Sequence, residues 1–316
     1  MNWLEKYGKV LPFHNPKTHS ICGPVRCSFP LFCRISVKSS QKTISVDDLS
    51  LAVSHIRDQR PGFQPDTALI LGSGLGALAD KIEDATVLPY RTVPGFPLSH
   101  VAGHAGNLVL GRIGTTAVAA LAGRAHLYEG WPPQQATFPL RCLHALGCKT
   151  LIVSNASGGI NPRFVSGQVV AIDNHIDRMQ MSPFRAEEWQ PDSLESGQLH
   201  RNSNPYDSPL IAQAQAIAIE LGFALATGTY LATLGPTYET RAEYRMFAKL
   251  GADMVGMSTV PEVALANHLG MRTLAFSIVT NVAKPDAPTK TEHSEVLDWS
   301  QHAQSQLIPL IQRLLS

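Results

Sequence analysis

The sequence predicts an α/β domain, and three observations carry that reading. Five short apolar runs each end in small or polar residues. Apolar patterns of helical period lie between several of them. The composition, 44% hydrophobic and 16% charged, suits a compact chain with a wettable surface. A length of 316 residues allows one large domain or two small ones.

The chain opens on a segment unlike the rest. Residues 1–45 hold Cys22, Cys27 and Cys33, and their one acidic residue, Glu5, stands against Lys6, Lys9, Lys17, Arg26, Arg34, Lys38 and Lys42. The bias resembles that of a transit peptide, although CSFPLFCRISV is too short and interrupted for a signal-peptide core. A simple extension or an early start codon fits equally well. The expectation is an appendage over 1–45 and the domain over 46–316.

The first helix is expected over 47–60, where Leu49, Val53 and Ile56 recur at helical spacing, Asp47 can cap and Pro61-Gly62 breaks the pattern. The apolar runs are TALILGSGLG (67–76), KTLIVSNASGG (149–159), GTYLATLGPTYE (228–239), ADMVGMS (252–258) and TLAFSIVTN (273–281). Runs this short, apolar on both faces, suit strands buried on both sides. LVLGRIGTTAVAALAG (108–123) reads as a hairpin turning at Gly114. Helices are expected over 207–221, 240–250 and 260–269. Ligands of open α/β sheets collect beyond the carboxyl ends of the strands. If the sheet is largely parallel, Ser73, Asn155, Glu239, Ser258 and Asn281 converge on one crevice there.

A net charge of +1 gives no bulk attraction to nucleic acid or membrane, and no apolar run reaches the 18–20 residues of a membrane span. Cys142 and Cys148 complete an odd set of five cysteines whose spacing fits no zinc pattern. A reduced, cytoplasmic chain is expected, an organelle being the lesser alternative. The histidines are scattered singly and HExxH is absent, so no metal is expected.

Four stretches could carry chemistry. SNASGG turns small and polar after an apolar run, which suits either a tight turn or a cradle of backbone N–H groups for an anion. GSGLG is a weak half of a dinucleotide fingerprint, with Ala77 in place of its third glycine. A phosphate cradle using the Ser73 hydroxyl fits it better. In GRAHLYEGW, Arg124, His126 and Tyr128 are spaced by two and would share one side of an extended segment. They are either solvent-facing edge residues or a wall holding phosphate on Arg124 and His126, with Tyr128 on an adjacent sugar. His104 lies between Gly103 and Gly106 in a loop able to close over a ligand, which ranks it above His100. Gly72-Ser73-Gly74 lacks the spacing of a nucleophile elbow, so Ser–His–Asp hydrolysis is disfavoured.

Together, ILGSGLGALAD, HVAGHAGN, GRAHLYEGW, SNASGGINP, GPTYET, GADMVGMSTVPE and SIVTN resemble the trimeric purine nucleoside phosphorylases, in that family's order, from about residue 65 to the C-terminus. The resemblance implies a single α/β domain around a mixed, twisted central sheet. It implies phosphorolysis of purine ribonucleosides and deoxyribonucleosides to free purine and pentose 1-phosphate. It implies inorganic phosphate as co-substrate, no metal or organic cofactor, and a homotrimer.

Carried over residue by residue, the phosphate site would comprise Ser73, His104, Arg124, His126, the backbone N–H of Ala156, and Ser258. Tyr128 and Met257 would meet the ribose and His293 its 5′-hydroxyl. Asn155 would line the same turn. Glu239 and Asn281 would bind the purine with Tyr238 stacked near it; Asn281, Glu239 and His104 would be catalytic. Three departures stand out. Tyr238 occupies a position usually held by Phe, and Val282 one where some members carry Lys. No Phe near 197–203 matches the one the family reaches across to the neighbouring subunit; Leu199 and His200 lie closest. Asn281 suits a 6-oxopurine. An Asp there would suit 5′-methylthioadenosine, the alternative substrate class, while xanthosine preference and a non-catalytic nucleoside binder are further alternatives.

Overall fold

The computed structural model describes residues 46–72, 75–99, 101, 105–184, 204–283 and 293–316, with backbone alone at positions 46, 293–298 and 300–302. The expectations for 1–45, Ser73, His100, His104, the His293 side chain, and Leu199 and His200 lie outside the described residues.

Helix α1 (Val46–Gln59) buries Ala52, Val53 and Ile56 on one face. It starts one residue earlier than expected, so Asp47 sits inside the first turn with Asp48, where a negative charge favours the helix dipole. Strand β1 (Thr67–Leu71) is buried at every position, as a two-faced apolar run requires. Strand β2 (Glu83–Pro89) pairs antiparallel with β3 (Asn107–Ile113). Strand β4 (Thr116–Ala122) closes the expected hairpin on β3, and Gly114 takes its turn at φ 55°.

Two short helices, α2 (Pro133–Ala136) and α3 (Phe138–Leu146), lead into β5 (Thr150–Gly159), followed by β6 (Val169–Asp177). Helix α4 (Ser208–Glu220) is capped by Asp207, whose carboxylate accepts the Leu210 N–H at 2.9 Å. Then come β7 (Ala226–Ala232), α5 (Arg241–Lys249) with a Thr240/Glu243 capping box, β8 (Met254–Gly256), α6 (Val260–His268), β9 (Arg272–Val282) and α7 (His293–Leu315).

Among the described residues, nine strands form one mixed sheet ordered β2-β3-β4-β1-β5-β8-β7-β6-β9, and a further pairing of β5 with β9 closes the last five into a ring. Leu69, Leu151, Val153, Ile172, Tyr230, Leu274 and Phe276 fill its interior faces and are all buried. Burying each such side chain contributes about 1.5–3 kcal/mol.

The five apolar runs are β1, β5, β7, β8 and β9. Two expectations need correction. The run KTLIVSNASGG does not end at Asn155: β5 continues to Gly159, held by β9 from Asn155↔Ser277 to Gly159↔Val282, with a register shift between Ser157 and Gly158. The small residues mark a bulged strand against a cavity, not a turn. The polar ends of β5 and β9 meet as expected of parallel neighbours, but β8 joins them the other way round. Strands β6 and β8 run antiparallel to β9 and β5, and closure of the ring lays Val255 of β8 beside Gly158 of β5.

Candidate active site

Where β5, β8 and β9 meet lies a cavity of about 220 Å³. Its wall includes Arg124, His126, Tyr128, Asn155, Ala156, Tyr238, Glu239, Met257, Ser258 and Asn281, all named from sequence. They arrive from distant parts of the chain. Ala156 and Asn155 come from β5, Asn281 from the end of β9, Met257 and Ser258 from the β8–α6 link, and Tyr238 and Glu239 from the β7–α5 link.

Arg124, His126 and Tyr128 share the cavity without sharing an extended strand. The chain leaves β4, and residues Leu127–Glu129 form a single 3₁₀ turn. The turn stacks the rings of His126 and Tyr128 at 4.8 Å and 17°. Period-two spacing is therefore not what brings them together.

One end of the cavity is cationic. Arg124 is 6% exposed; it donates to the Ser154 carbonyl, to Thr259 Oγ1 at 3.0 Å and to Glu262 Oε1 at 3.4 Å. His126 Nδ1 lies 3.2 Å from Glu129 Oε1, which also accepts the His126 backbone N–H at 2.8 Å. Burial, and secondarily the Arg124 charge, depress the imidazole pKa to about 4 against the pull of Glu129. The ring is neutral at pH 7.

Another part of the lining is built to read hydrogen-bonding edges. Glu239 accepts from Tyr244 Oη at 3.3 Å and from Thr233 Oγ1 at 3.4 Å. Burial pushes its carboxyl above the usual range, partly offset by these hydroxyls. Thr280 Oγ1 lies 3.3 Å from Asn281 Oδ1, and the Asn281 side chain also meets the Tyr244 hydroxyl. Gly158 lies beside this end: a Cβ on it would make ordinary van der Waals contact with Tyr244 Oη at 3.4 Å and Asn281 Oδ1 at 3.7 Å. Gly235, at φ 73°, lets the β7–α5 link pass Met257, whose sulfur a Cβ would strike.

Asn155 forms part of the wall with its amide already engaged. Nδ2 donates to Thr259 Oγ1 at 2.8 Å, and Oδ1 accepts from Ser277 Oγ at 2.6 Å. Alternation along β5 explains this: Asn155 and Ser157 turn inward, while Ala156 and Gly158 are partly exposed.

Sequence reasoning did not single out Tyr244, Glu129, Glu262 or Thr259. Tyr244 could have been found from the Thr240 cap, since it falls in the first turn of α5 just beyond Glu239. Thr259 could not: it is fully buried with φ 74° and ψ −47°. That is the geometry of a strained positive-φ γ-turn, closed by Val260 N–H on Ser258 O at 2.8 Å. Such strain costs roughly 1–3 kcal/mol and persists only where surrounding contacts impose it.

Among the described residues, no group of three or more His, Cys, Asp or Glu could hold a metal ion. The arrangement supplies a cationic, hydrogen-bond-rich pocket facing a carboxylate and an amide. It can bind an anion and a planar heterocycle on either side of a shared reaction centre.

Residues 66–316 match the family model of the phosphorylase superfamily. The chain is 40% identical over 271 residues to purine nucleoside phosphorylase 1 of Bacillus subtilis, covering 85% of this chain and 98% of that protein. It is 39% identical over 261 residues to purine nucleoside phosphorylase of Bos taurus, covering 80% of this chain and 89% of that protein. The crystal structure of a schistosoma purine nucleoside phosphorylase in complex with hypoxanthine superposes with a TM-score of 0.77 at 33% identity, covering 86% of this chain and 98% of that one.

Proposed function

The chain belongs to the phosphorylase superfamily, and we propose that it acts as a purine nucleoside phosphorylase selective for 6-oxopurines. It transfers the pentosyl group of a purine nucleoside to phosphate. The observation carrying the finer reading is that one cavity is lined both by Arg124, His126 and Ser258 and by Glu239 with Asn281.

The chemistry follows from that polarity. As the C1′–N9 bond lengthens, the sugar becomes oxocarbenium-like and its electron pair moves into the purine. Phosphate held by Arg124, His126, Ser258 and the Ala156 N–H stabilises the cationic sugar and then bonds to C1′. Asn281 donates toward N7, where negative charge gathers, and Glu239 accepts the N1–H of hypoxanthine or guanine. Preorganised donors of this kind supply about 3 kcal/mol each. Tyr128 and Met257 border the sugar and Tyr238 lies along the base. Ser73 and His104 would add to the phosphate site and His293 to the sugar site, as the sequence resemblance implies. No metal or organic cofactor is required by this scheme; phosphate is a co-substrate.

We expect a cytoplasmic homotrimer in which residues 1–45 are dispensable. Light scattering showing a monomer at micromolar concentration would overturn the trimer, and an inactive but folded 46–316 fragment would overturn the dispensability. The decisive activity test is inosine cleavage with and without phosphate. Phosphate-dependent release of hypoxanthine and ribose 1-phosphate is expected; cleavage independent of phosphate would refute phosphorolysis.

A further inference from the structure

Thr259 lies behind the cavity wall, fully buried, and its hydroxyl has three polar neighbours. Arg124 Nη1 donates to it at 3.0 Å and Asn155 Nδ2 donates to it at 2.8 Å. Ser258 Oγ lies 3.2 Å away. A hydroxyl has two lone pairs and one proton. Guanidinium and amide N–H groups occupy both lone pairs, so the Thr259 proton goes to Ser258 Oγ. Ser258, now an acceptor toward Thr259, keeps its own proton, which the Tyr230 hydroxyl beside it or an anion in the cavity that Ser258 lines can accept.

The ordering extends back through the barrel. Asn155 presents Nδ2 to Thr259 because its Oδ1 accepts from Ser277 at 2.6 Å. Ser157 Oγ lies 2.6 Å from the same Ser277 hydroxyl. The register Asn155↔Ser277 on β5 and β9 fixes this spacing. The hydrogen bonds therefore run in one direction from Ser277 through Asn155 and Thr259 to Ser258.

We propose that Thr259 is a positioning residue for the phosphate half of the reaction, holding the Ser258 hydroxyl as a donor to the anion. The inference rests on the phosphate site assigned above. The strained turn has a purpose on this view: it carries the chain from Ser258 into α6 while keeping the Thr259 hydroxyl against Arg124 and Asn155. A donor oriented beforehand needs no reorganisation when the anion arrives.

Titration calorimetry with inorganic phosphate tests this without turnover. Thr259→Val keeps the β-branched shape and removes the hydroxyl, and it should weaken phosphate binding by about 10-fold or more, the scale of a lost bond to a charged group. Thr259→Ser should remain near wild type. Asn155→Ala frees a lone pair on Thr259, lets Ser258 donate backward, and should weaken phosphate with Thr259 intact; it also serves if the Val variant fails to fold. Ser258→Ala combined with Thr259→Val should lose less phosphate affinity than the sum of the two single losses, because one acts through the other. Full phosphate affinity in Thr259→Val or Asn155→Ala, fully additive losses, or a wild-type protein that binds no phosphate would each overturn the inference. This binding pattern in a protein that fails to cleave inosine would overturn the proposed activity and leave the role of Thr259 standing.

Discussion

Tyr244 donates its phenolic hydrogen to Glu239 Oε2 at 3.3 Å, and the side chain of Asn281 meets the same hydroxyl. One residue thus joins the two groups proposed to read the purine. Burial drives the Glu239 pKa up, and the Tyr244 hydroxyl pulls it partly back. In Tyr244→Phe the carboxyl pKa should rise further, because the charged form loses a donor. The acid limb of the inosine kcat/KM profile should move to higher pH, with about a 10-fold loss on that limb. Protonated Glu239 can donate to N1 of adenine, so the adenosine-to-inosine ratio should grow as pH falls. An unshifted profile would remove Tyr244 from the pairing.

Arg124 is both site and scaffold. Its substitution by Ala should raise KM for phosphate far more than KM for nucleoside, because charge-assisted bonds to the dianion are lost. It should also lower Tm, since Glu262, 7% exposed, keeps a buried carboxylate without its guanidinium. Leaving one partner of a buried pair costs about 3–5 kcal/mol. Equal rises in both KM values would assign Arg124 to structure alone.

His126 should be silent in the physiological pH range. The Glu129 carboxylate is an acceptor and sets the tautomer with the proton on Nδ1. Nitrogen NMR of the ligand-free protein should show that tautomer unchanged from pH 8 to about 5.5, given a pKa lowered to about 4. The unfolded chain binds a proton near its ordinary value of 6.5. His126 therefore lends stability above pH 6.5 that is lost as pH falls toward 4. His126→Asn should flatten the stability slope in that window, measured by denaturant unfolding.

Base choice should follow the Glu239–Asn281 pair. With adenosine, an ionised Glu239 faces the N1 lone pair, and a site built on polar pairing rejects such a mismatch by a factor on the order of 10⁴. Inosine and guanosine should be cleaved well and adenosine poorly. Asn281→Asp should narrow the gap, since a carboxylate can accept from a 6-amino group. Equal kcat/KM for adenosine and inosine in the wild type would refute this pairing.

The α/β class, the strands whose apolar runs become β1, β5, β7, β8 and β9, and the hairpin at Gly114 were all legible in the linear chain. These are local: a strand buried on two faces has to be apolar, and a tight reversal at positive φ favours Gly. The linear chain also carried the cavity residues from Arg124 to Asn281, because their short motifs could be matched as blocks. The tertiary structure alone decided the rest. Strand β5 runs through NASGG because β9 supplies partners to Gly159, a pairing between residues more than a hundred positions apart. Arg124, His126 and Tyr128 meet through a 3₁₀ turn that spacing of two did not announce. Thr259 looks like an ordinary cap before a helix, and its positive-φ backbone is held by contacts with Arg124, just past β4, and with Asn155 of β5. Periodicity records what each segment needs to bury. Which hydroxyl donates to which depends on groups that only the closed ring of strands brings within 3 Å or so of one another.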